Sequence, residues 1–398
     1  MKKYILFILF FPAVLLSCTK EKVVVPAEND QTVFMYLPWS SNLTSYFRQN
    51  IADFETAIAG GILKNERVVV FFMTSPTEAS LFELKHRGGK SVRSTFKTYS
   101  FEASNPAPYT TAAGITSILE DVIHYAPANR YAMVIGCHGM GWLPVSSVSR
   151  GAAEKYHWEY VDGPLTRFFG GTTSQYQTDI ATLADGIAGA GLKMEYILFD
   201  DCYMSSIEAA YDLREVTDYL IGCPTEVMAY GFPYHVIAKY MVGTVDYAGI
   251  AEGFLSFYEN YTTPCGTIGI TYCPELDDLA AVMKEINTRE GIDADTEFTE
   301  SFRSGIQRLD GYSPVVFYDL GDYVENICTD QTLLTRFRAQ LARTVPPAWS
   351  LHTEKYYTSI TSARQIAINA YSGVTTSDPS NHPWTRAKSE TAWYKATH

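Results

Sequence analysis

Two residues in this sequence have the types and the placement for covalent amide chemistry. Residues 131–136 (YAMVIG) form an apolar run that leads through Cys137 into His138 and Gly139. Residues 195–199 (EYILF) form another, leading through Asp200 and Asp201 into Cys202. A cysteine thiolate attacks an acyl carbon, and an imidazole beside it takes and returns the proton. Together they suffice for acyl transfer from an amide: thiolate attack, protonation of the leaving amine, then water. Gly139 lets the backbone come close, so its N–H and that of Cys202 are candidates for holding the oxyanion. A helix is predicted over 203–214, directly after the cysteine, where unpaired N–H groups favour the thiolate.

For His138 and Cys202 to meet, the two runs must be strands of one sheet joined by a crossover. The residues are 64 positions apart, and 179–190 has the pattern of the helix that such a crossover needs. Short, nearly continuous apolar runs are the signature of strands buried on both faces of a parallel sheet. Residues 33–37 (VFMYL), 67–73 (RVVVFFM) and 219–222 carry the same signature. Between the first two, Phe47, Ile51, Phe54 and Ile58 recur at helical spacing until Gly60-Gly61 stops the pattern. Residues 81–101 read as a hairpin around Arg87-Gly88-Gly89-Lys90, and 111–125 as a helix ending before Pro127. The alternation predicts a doubly wound, mostly parallel α/β sheet with helices on both faces. His138 and Cys202 then both lie at strand C-terminal ends, the edge at which ligand crevices form. Beyond Gly231 the pattern is mixed. Helices are predicted over 234–241, 247–258, 274–286 and 333–342, with strands at 266–272 and 315–318. The expected organisation is a catalytic domain over 32–242 and a mixed, helical C-terminal subdomain over 243–398.

The 398 residues are 46% hydrophobic, 14% aromatic and 19% charged, the balance of a folded chain with a sizeable core. A net charge of −13 and a pI near 5.1 argue against a phosphate-binding surface, so no nucleic-acid partner is expected. At the start, Lys2 and Lys3 precede an apolar run over 4–16 that is shorter than the ~20 residues of a membrane span. This reads as a signal peptide over 1–17. It ends in Leu15-Leu16-Ser17-Cys18, which resembles a bacterial lipobox and makes Cys18 the expected lipidation site. Residues 18–31 then form a tether, and the expected location is exported and lipid-anchored to a bacterial membrane. The seven cysteines show no disulfide framework and no CxxC pair for zinc, and Cys265 and Cys273 are read as buried thiols.

Residues 134–142 (VIGCHGMGW) and 197–213 (ILFDDCYMSSIEAAYDL) resemble the two signature blocks of the clostripain family of cysteine peptidases. That family belongs to the clan of the caspases, legumains and gingipains. In it, one hydrophobic strand ends in His-Gly and the next in an acidic or amide residue, one further residue, and the catalytic Cys. Residues 33–43 (VFMYLPWSSNL) resemble the family's first strand and following Asn-Leu, with Ser40 and Ser41 where an acidic residue often stands. Residues 224–234 (PTEVMAYGFPY) resemble the strand and glycine turn after the catalytic helix. The likeness spans about 32–242 and implies a caspase-like fold.

Carried over by this resemblance, Cys202 is the nucleophile and His138 the general acid/base. Gly139 and the Cys202 amide form the oxyanion hole. Asp200 is the acidic residue of the substrate pocket; lying two before Cys202 on a strand, it points into the same cleft. A carboxylate there selects protein or peptide substrates with Arg or Lys before the scissile bond. Asp201 has no family role and is expected to be solvated or capping, and no residue orienting His138 is identified. The family commonly processes itself between its two motifs. Residues 143–178 fit such an activation loop, with Arg150 and then Lys155 as candidate self-cleavage sites. Clostripain is linked to calcium. No EF-hand-like loop is present here, and Asp277-Asp278 and the stretch 319–322 are too sparse to assign, so no cofactor is assigned and calcium stays open. Two other readings share the fold: a non-catalytic surface-binding lipoprotein, and a transamidase or ligase using the same dyad.

Overall fold

The computed structural model of the chain describes residues 29–145 and 169–398. Its centre is a nine-stranded sheet. In chain order the strands are β1 (Asn29–Leu37), β2 (Glu66–Met73), β3 (Glu78–Arg87), β4 (Lys90–Ser100), β5 (Ala128–Gly136), β6 (Met194–Asp200), β7 (Tyr219–Gly222) and β8 (Thr267–Tyr272), completed by the short strand Leu351–His352. Across the sheet the order is Leu351–His352, β8, β7, β6, β5, β1, β2, β3, β4. The run from β7 to β2 is parallel, and the strands outside it are antiparallel. The uninterrupted apolar runs have their cause in this arrangement. Val33 to Leu37, Val68 to Met73 and Ala132 to Ile135 are covered on both faces and almost fully buried.

The helices are α1 (Thr44–Ala59), α2 (Ala112–Tyr125), α3 (Ile180–Gly189), α4 (Ile207–Leu213), α5 (Tyr234–Met241), α6 (Tyr247–Glu259) and α7 (Leu276–Glu290). From β1 the chain winds one way through α1 to β2, and from β5 it winds the other way through α3 to β6. Right-handed crossovers in opposite directions put α1 and α3 on opposite faces. Accordingly α1, α5 and α6 pack in one row, and α2, α3 and α4 in another. The direction reverses between β1 and β5, so the topological switch point lies at their C-terminal ends.

Local signals set most boundaries. Thr111 caps α2 by accepting a hydrogen bond from the Gly114 N–H at 3.1 Å. The β3–β4 hairpin turns on Gly88 and Gly89, both at positive φ (56° and 76°), a geometry that a Cβ disfavours at successive residues. Two elements differ from expectation. The helix after Cys202 starts at Ile207 rather than at 203, because Ser206 caps it through the Ala209 N–H and Tyr203 takes a left-handed φ of 60° that no helix contains. The strand expected at 315–318 is reduced to Tyr318–Asp319, which pairs with Thr375–Thr376. The C-terminal part supplies β8 and Leu351–His352 to the sheet, adds helices, among them Gln331–Thr344, and pairs Lys355–Tyr357 with Gln365–Ala367 in a small ribbon of its own. No helix among the described residues is long and apolar enough to cross a membrane.

Leu198, in the middle of β6, is fully buried. Leu198→Ala is expected to cost about 2–5 kcal/mol, the range for removing a packed core side chain. The midpoint of urea unfolding, followed by far-ultraviolet circular dichroism, measures it.

Candidate active site

The site is built on the C-terminal ends of β1, β5 and β6. Parallel pairing sets Gly136 opposite Asp200, so the residues that follow each strand leave the sheet side by side. A buried clasp joins them: Asp201 Oδ1 accepts the Cys137 N–H at 2.6 Å, and Oδ2 accepts the Cys137 thiol at 3.4 Å. One residue further, the two backbones touch. A Cβ at Gly139 would lie 2.3 Å from the Cys202 carbonyl oxygen and 2.8 Å from Asp201 Cβ. Only glycine fits there, which is the physical reason for the His-Gly pair.

His138 is fully buried. Its Nε2 lies 2.8 Å from Asn42 Oδ1, which fixes that nitrogen as the N–H, the side-chain oxygen being an acceptor. Asn42 sits in the turn Ser41–Leu43 just beyond β1, so the contact spans the switch point between β1 and β5. The His138 backbone N–H donates to the Gly170 carbonyl at 3.2 Å, and Ser40 Oγ to the same oxygen at 3.2 Å.

Cys202 is buried too. The Val227 N–H donates to its Sγ at 3.3 Å, and the thiol reaches the Val227 carbonyl at 3.7 Å. The neighbouring residue, Tyr203, holds the same segment: its N–H donates to the Thr225 carbonyl at 3.0 Å and its hydroxyl to Glu226 Oε1 at 3.0 Å. A buried, bulky residue at φ 60° is strained, and these bonds, with a ring stack on Phe317 at 4.8 Å, hold it there. Glu226 accepts further from Thr358 Oγ1 and from the N–H and hydroxyl of Ser359. Burial raises its carboxyl pKa, opposed by those donors. Asp200 is 1% exposed; its Oδ1 accepts the Phe232 N–H and its Oδ2 the Tyr234 hydroxyl, both at 2.9 Å.

Thus Cys202, His138, Gly139 and Asp200 converge on one strand-end region, each where the sequence put it relative to its strand. Arg150, Lys155 and Cys18 lie outside the described residues. Asp201 is not solvated: it is wholly buried and is the clasp to Cys137. Because α4 starts at Ile207, its first-turn amides lie beyond Cys202, and the sulfur is held by the Val227 amide instead. Trp142 is buried with its indole N–H donating to Ser377 Oγ at 2.9 Å. The cysteines from 137 onward form no disulfide among the described residues and are buried, and burial pushes the thiols of Cys265 and Cys273 up to about 12. Sequence reasoning missed Asn42 as the partner of His138, although the Asn-Leu after the first strand was its signal. Val227 and Glu226 carried no local signal. The acidic stretches considered for calcium do not fit a cation cage. Asp319 and Asp322 accept protein N–H groups, and Asp277 pairs with Arg214 at 3.0 Å. Among the described residues no three His, Cys, Asp or Glu side chains group to hold a metal.

A strand-end cysteine and a strand-end histidine on a caspase-like sheet define a cysteine hydrolase. The profile of the clostripain family of peptidases matches residues 35–327, and the chain belongs to that family of cysteine peptidases. No curated protein matches it. Among solved structures it is similar to a secreted C11 cysteine protease of Bacteroides thetaiotaomicron called iotapain. The two share 58% identity over 94% of this chain and 100% of the other, with a TM-score of 0.83. It is also similar to a clostripain of B. thetaiotaomicron ATCC 29148 solved with the peptide inhibitor BTN-VLTK-AOMK, at 59% identity over 58% of this chain and 99% of that one, TM-score 0.54. An inactive zymogen C11 protease of Parabacteroides distasonis matches at 26% identity over 94% and 100%, TM-score 0.76.

Asn42→Ala removes the acceptor at His138 and leaves the rest of the turn in place. It is expected to lower kcat on a peptide amide by about 10- to 100-fold with KM nearly unchanged, part of the ~10²–10⁴ that a positioned acid/base contributes. Steady-state kinetics beside wild type measures this, with a thermal midpoint as control for folding.

Proposed function

We propose that this protein is an exported, lipid-anchored endopeptidase that cleaves after Arg or Lys through a Cys202–His138 dyad and is activated by self-cleavage. One observation carries the reading: Gly139 lies in contact with the Cys202 carbonyl, so the histidine arm and the cysteine arm share one site. His138 takes the Cys202 thiol proton on Nδ1 as Sγ attacks the scissile carbonyl. His138, oriented by Asn42, gives its proton to the leaving amine, and the acyl group stays on sulfur as a thioester. The N–H groups of Gly139 and Cys202 face the developing oxyanion, and water activated by His138 releases the acid.

Asp200 supports the basic preference by position, as the last residue of β6 and two before Cys202. Its carboxylate accepts the Phe232 N–H and the Tyr234 hydroxyl, which fix its position, and a carboxylate there favours a guanidinium or ammonium group. The inhibitor held by the B. thetaiotaomicron clostripain has a peptide part ending in Lys, which agrees with this preference. Residues 143–178 hold the candidate cut sites Arg150 and Lys155, and a cut there would release the chain beside the His138 arm. Burial of Cys202 and His138 fits a form that opens before it turns over substrate. Export follows from the leader over 1–17, anchoring from Cys18, and a relative described as secreted agrees with export.

The test uses protein without residues 1–18, as wild type, Cys202→Ala and Asp200→Asn, assayed on amides ending in Arg, Lys, Asp or Leu and run on a denaturing gel. Wild type alone is expected to turn over Arg and Lys substrates and to show a cut within 143–178. Asp200→Asn should lower kcat/KM on those substrates by about 10- to 150-fold, the value of a charged hydrogen bond of roughly 1.5–3 kcal/mol. Equal turnover of Asp or Leu substrates, or an intact Cys202→Ala activity, would overturn the reading.

A further inference from the structure

Residues 373–378, far along the chain from both arms of the site, touch both of them. On the cysteine side, Ser205 Oγ donates to the Gly373 carbonyl at 2.7 Å and the Thr375 N–H to the Ser205 carbonyl at 3.0 Å. The Ser377 N–H donates to Glu208 Oε1 at 2.7 Å, joined there by Thr376 Oγ1 at 3.2 Å. On the histidine side, Ser377 Oγ accepts the indole N–H of Trp142. Ser377 therefore links the two arms, one by its backbone and one by its side chain.

Glu208 and Asp378 are buried in this junction, 1% and 4% exposed, and Thr376 Oγ1 joins them, donating to Glu208 Oε1 and accepting the Asp378 N–H at 3.1 Å. Both donors to Glu208 reach Oε1; Glu208 Oε2 and Asp378 Oδ2 are buried with no hydrogen-bond partner among the described residues. Neither carboxylate has an ion pair within 4.0 Å among them: the Lys388 ammonium donates to the carbonyls of Asp378 and Ser380 instead. Two like charges in such a place are strongly disfavoured.

We propose that Glu208 and Asp378 hold one proton between them, and that this acid pair is the positioning element that fastens residues 373–378 to the two arms of the active site. The proton rests on Glu208 Oε2, the oxygen that no donor reaches, while Oε1 keeps its two donors. Burial raises the Asp378 carboxyl as well, but His398, Lys388 and the Trp393 indole oppose that, so Asp378 is the ionised partner of the pair. Tyr323 and Tyr394 feel that charge, and Arg303 faces Lys388. Burial, with Asp378 second, lifts the Glu208 carboxyl to about 8. The folded state thus binds this proton more tightly than the unfolded chain. Its contribution is fully present below the ordinary carboxylate value, declines as pH rises towards about 8, and is level above that. Losing the proton sets two anions against each other and loosens the fastening. The proposal rests on the roles given above to His138 and Cys202, and its first readout is independent of them.

The test compares chains starting at residue 19, as wild type, Glu208→Gln, Glu208→Ala and Asp378→Asn, by thermal midpoint without substrate and by kcat, between pH 6 and 9. Gln has the shape of a neutral acid and keeps the Oε1 acceptor. It should hold the pH 6 midpoint of wild type across the range, while wild type drops by roughly 5 °C and loses about tenfold in kcat relative to Glu208→Gln at the same pH. Asp378→Asn should move the wild-type decline to lower pH, and Glu208→Ala should be weakened throughout. A Glu208→Gln midpoint that falls in parallel with wild type, or that matches Glu208→Ala at pH 6, would overturn the shared proton. A flat kcat for wild type alongside a falling midpoint would overturn the fastening role. If no substrate is turned over, the peptidase reading fails and the midpoints still decide the proton.

Discussion

The arrangement depends on one close approach, that of Gly139 to the Cys202 carbonyl. Parallel pairing of β5 and β6 brings the two strand ends level, but pairing alone stops at Gly136 and Asp200. Beyond that point nothing in the sheet ladder holds the chains together. The Asp201 clasp on Cys137 and the absent side chain at residue 139 extend the contact by another turn of chain. His138 then stands between a partner from β1 and the cysteine arm from β6. The switch point makes this convergence available, because only there do the loops of oppositely wound halves diverge and leave a crevice.

The loops around the site are pinned by buried carboxylates rather than by disulfides. Asp200 takes the Phe232 N–H, Glu226 that of Ser359, Glu208 that of Ser377, and Asp310 those of Tyr312, Val316 and Phe317. Asp319 does the same for Ser372. A loop has backbone groups that no ladder satisfies, and a buried carboxylate can accept several of them at once. Desolvation is the cost, visible in the raised carboxyls of Asp310 and Asp319, each pushed up to about 6. None of the described cysteines forms a disulfide, and burial raises the thiol of Cys223 well above its usual range. Such pins make the active-site loops responsive to protonation in a way that a covalent bridge is not.

Much of this was legible in the residues. The strands, the hairpin on Gly88-Gly89, the crossover helix and the strand-end positions of His138 and Cys202 follow from apolar runs and turn residues, which are local signals. The motif blocks pointed to the family and, by that resemblance, to Asp200 as its acidic residue. Other features follow from no local pattern. Asn42 meets His138 across 96 residues, Glu226 meets Thr358 across 132, and Ser377 meets Trp142 across 235. The late start of α4 was hidden because residues 203–206 have helix-compatible types, while the Thr225 and Glu226 contacts hold Tyr203 out of the helix.

By itself, then, the sequence determined the elements, the edge of the sheet on which the candidate site lies, and the pair of residue types proposed to act there, because strand burial and turn formation are read within a few neighbouring side chains. Tertiary structure alone decided which group orients the imidazole, which amide faces the sulfur, and which carboxylates lie buried beside one another. Those contacts join segments from opposite ends of the chain, and the free energy that selects them, burial of a polar group against its one available partner, exists only once the sheet has brought the partners together.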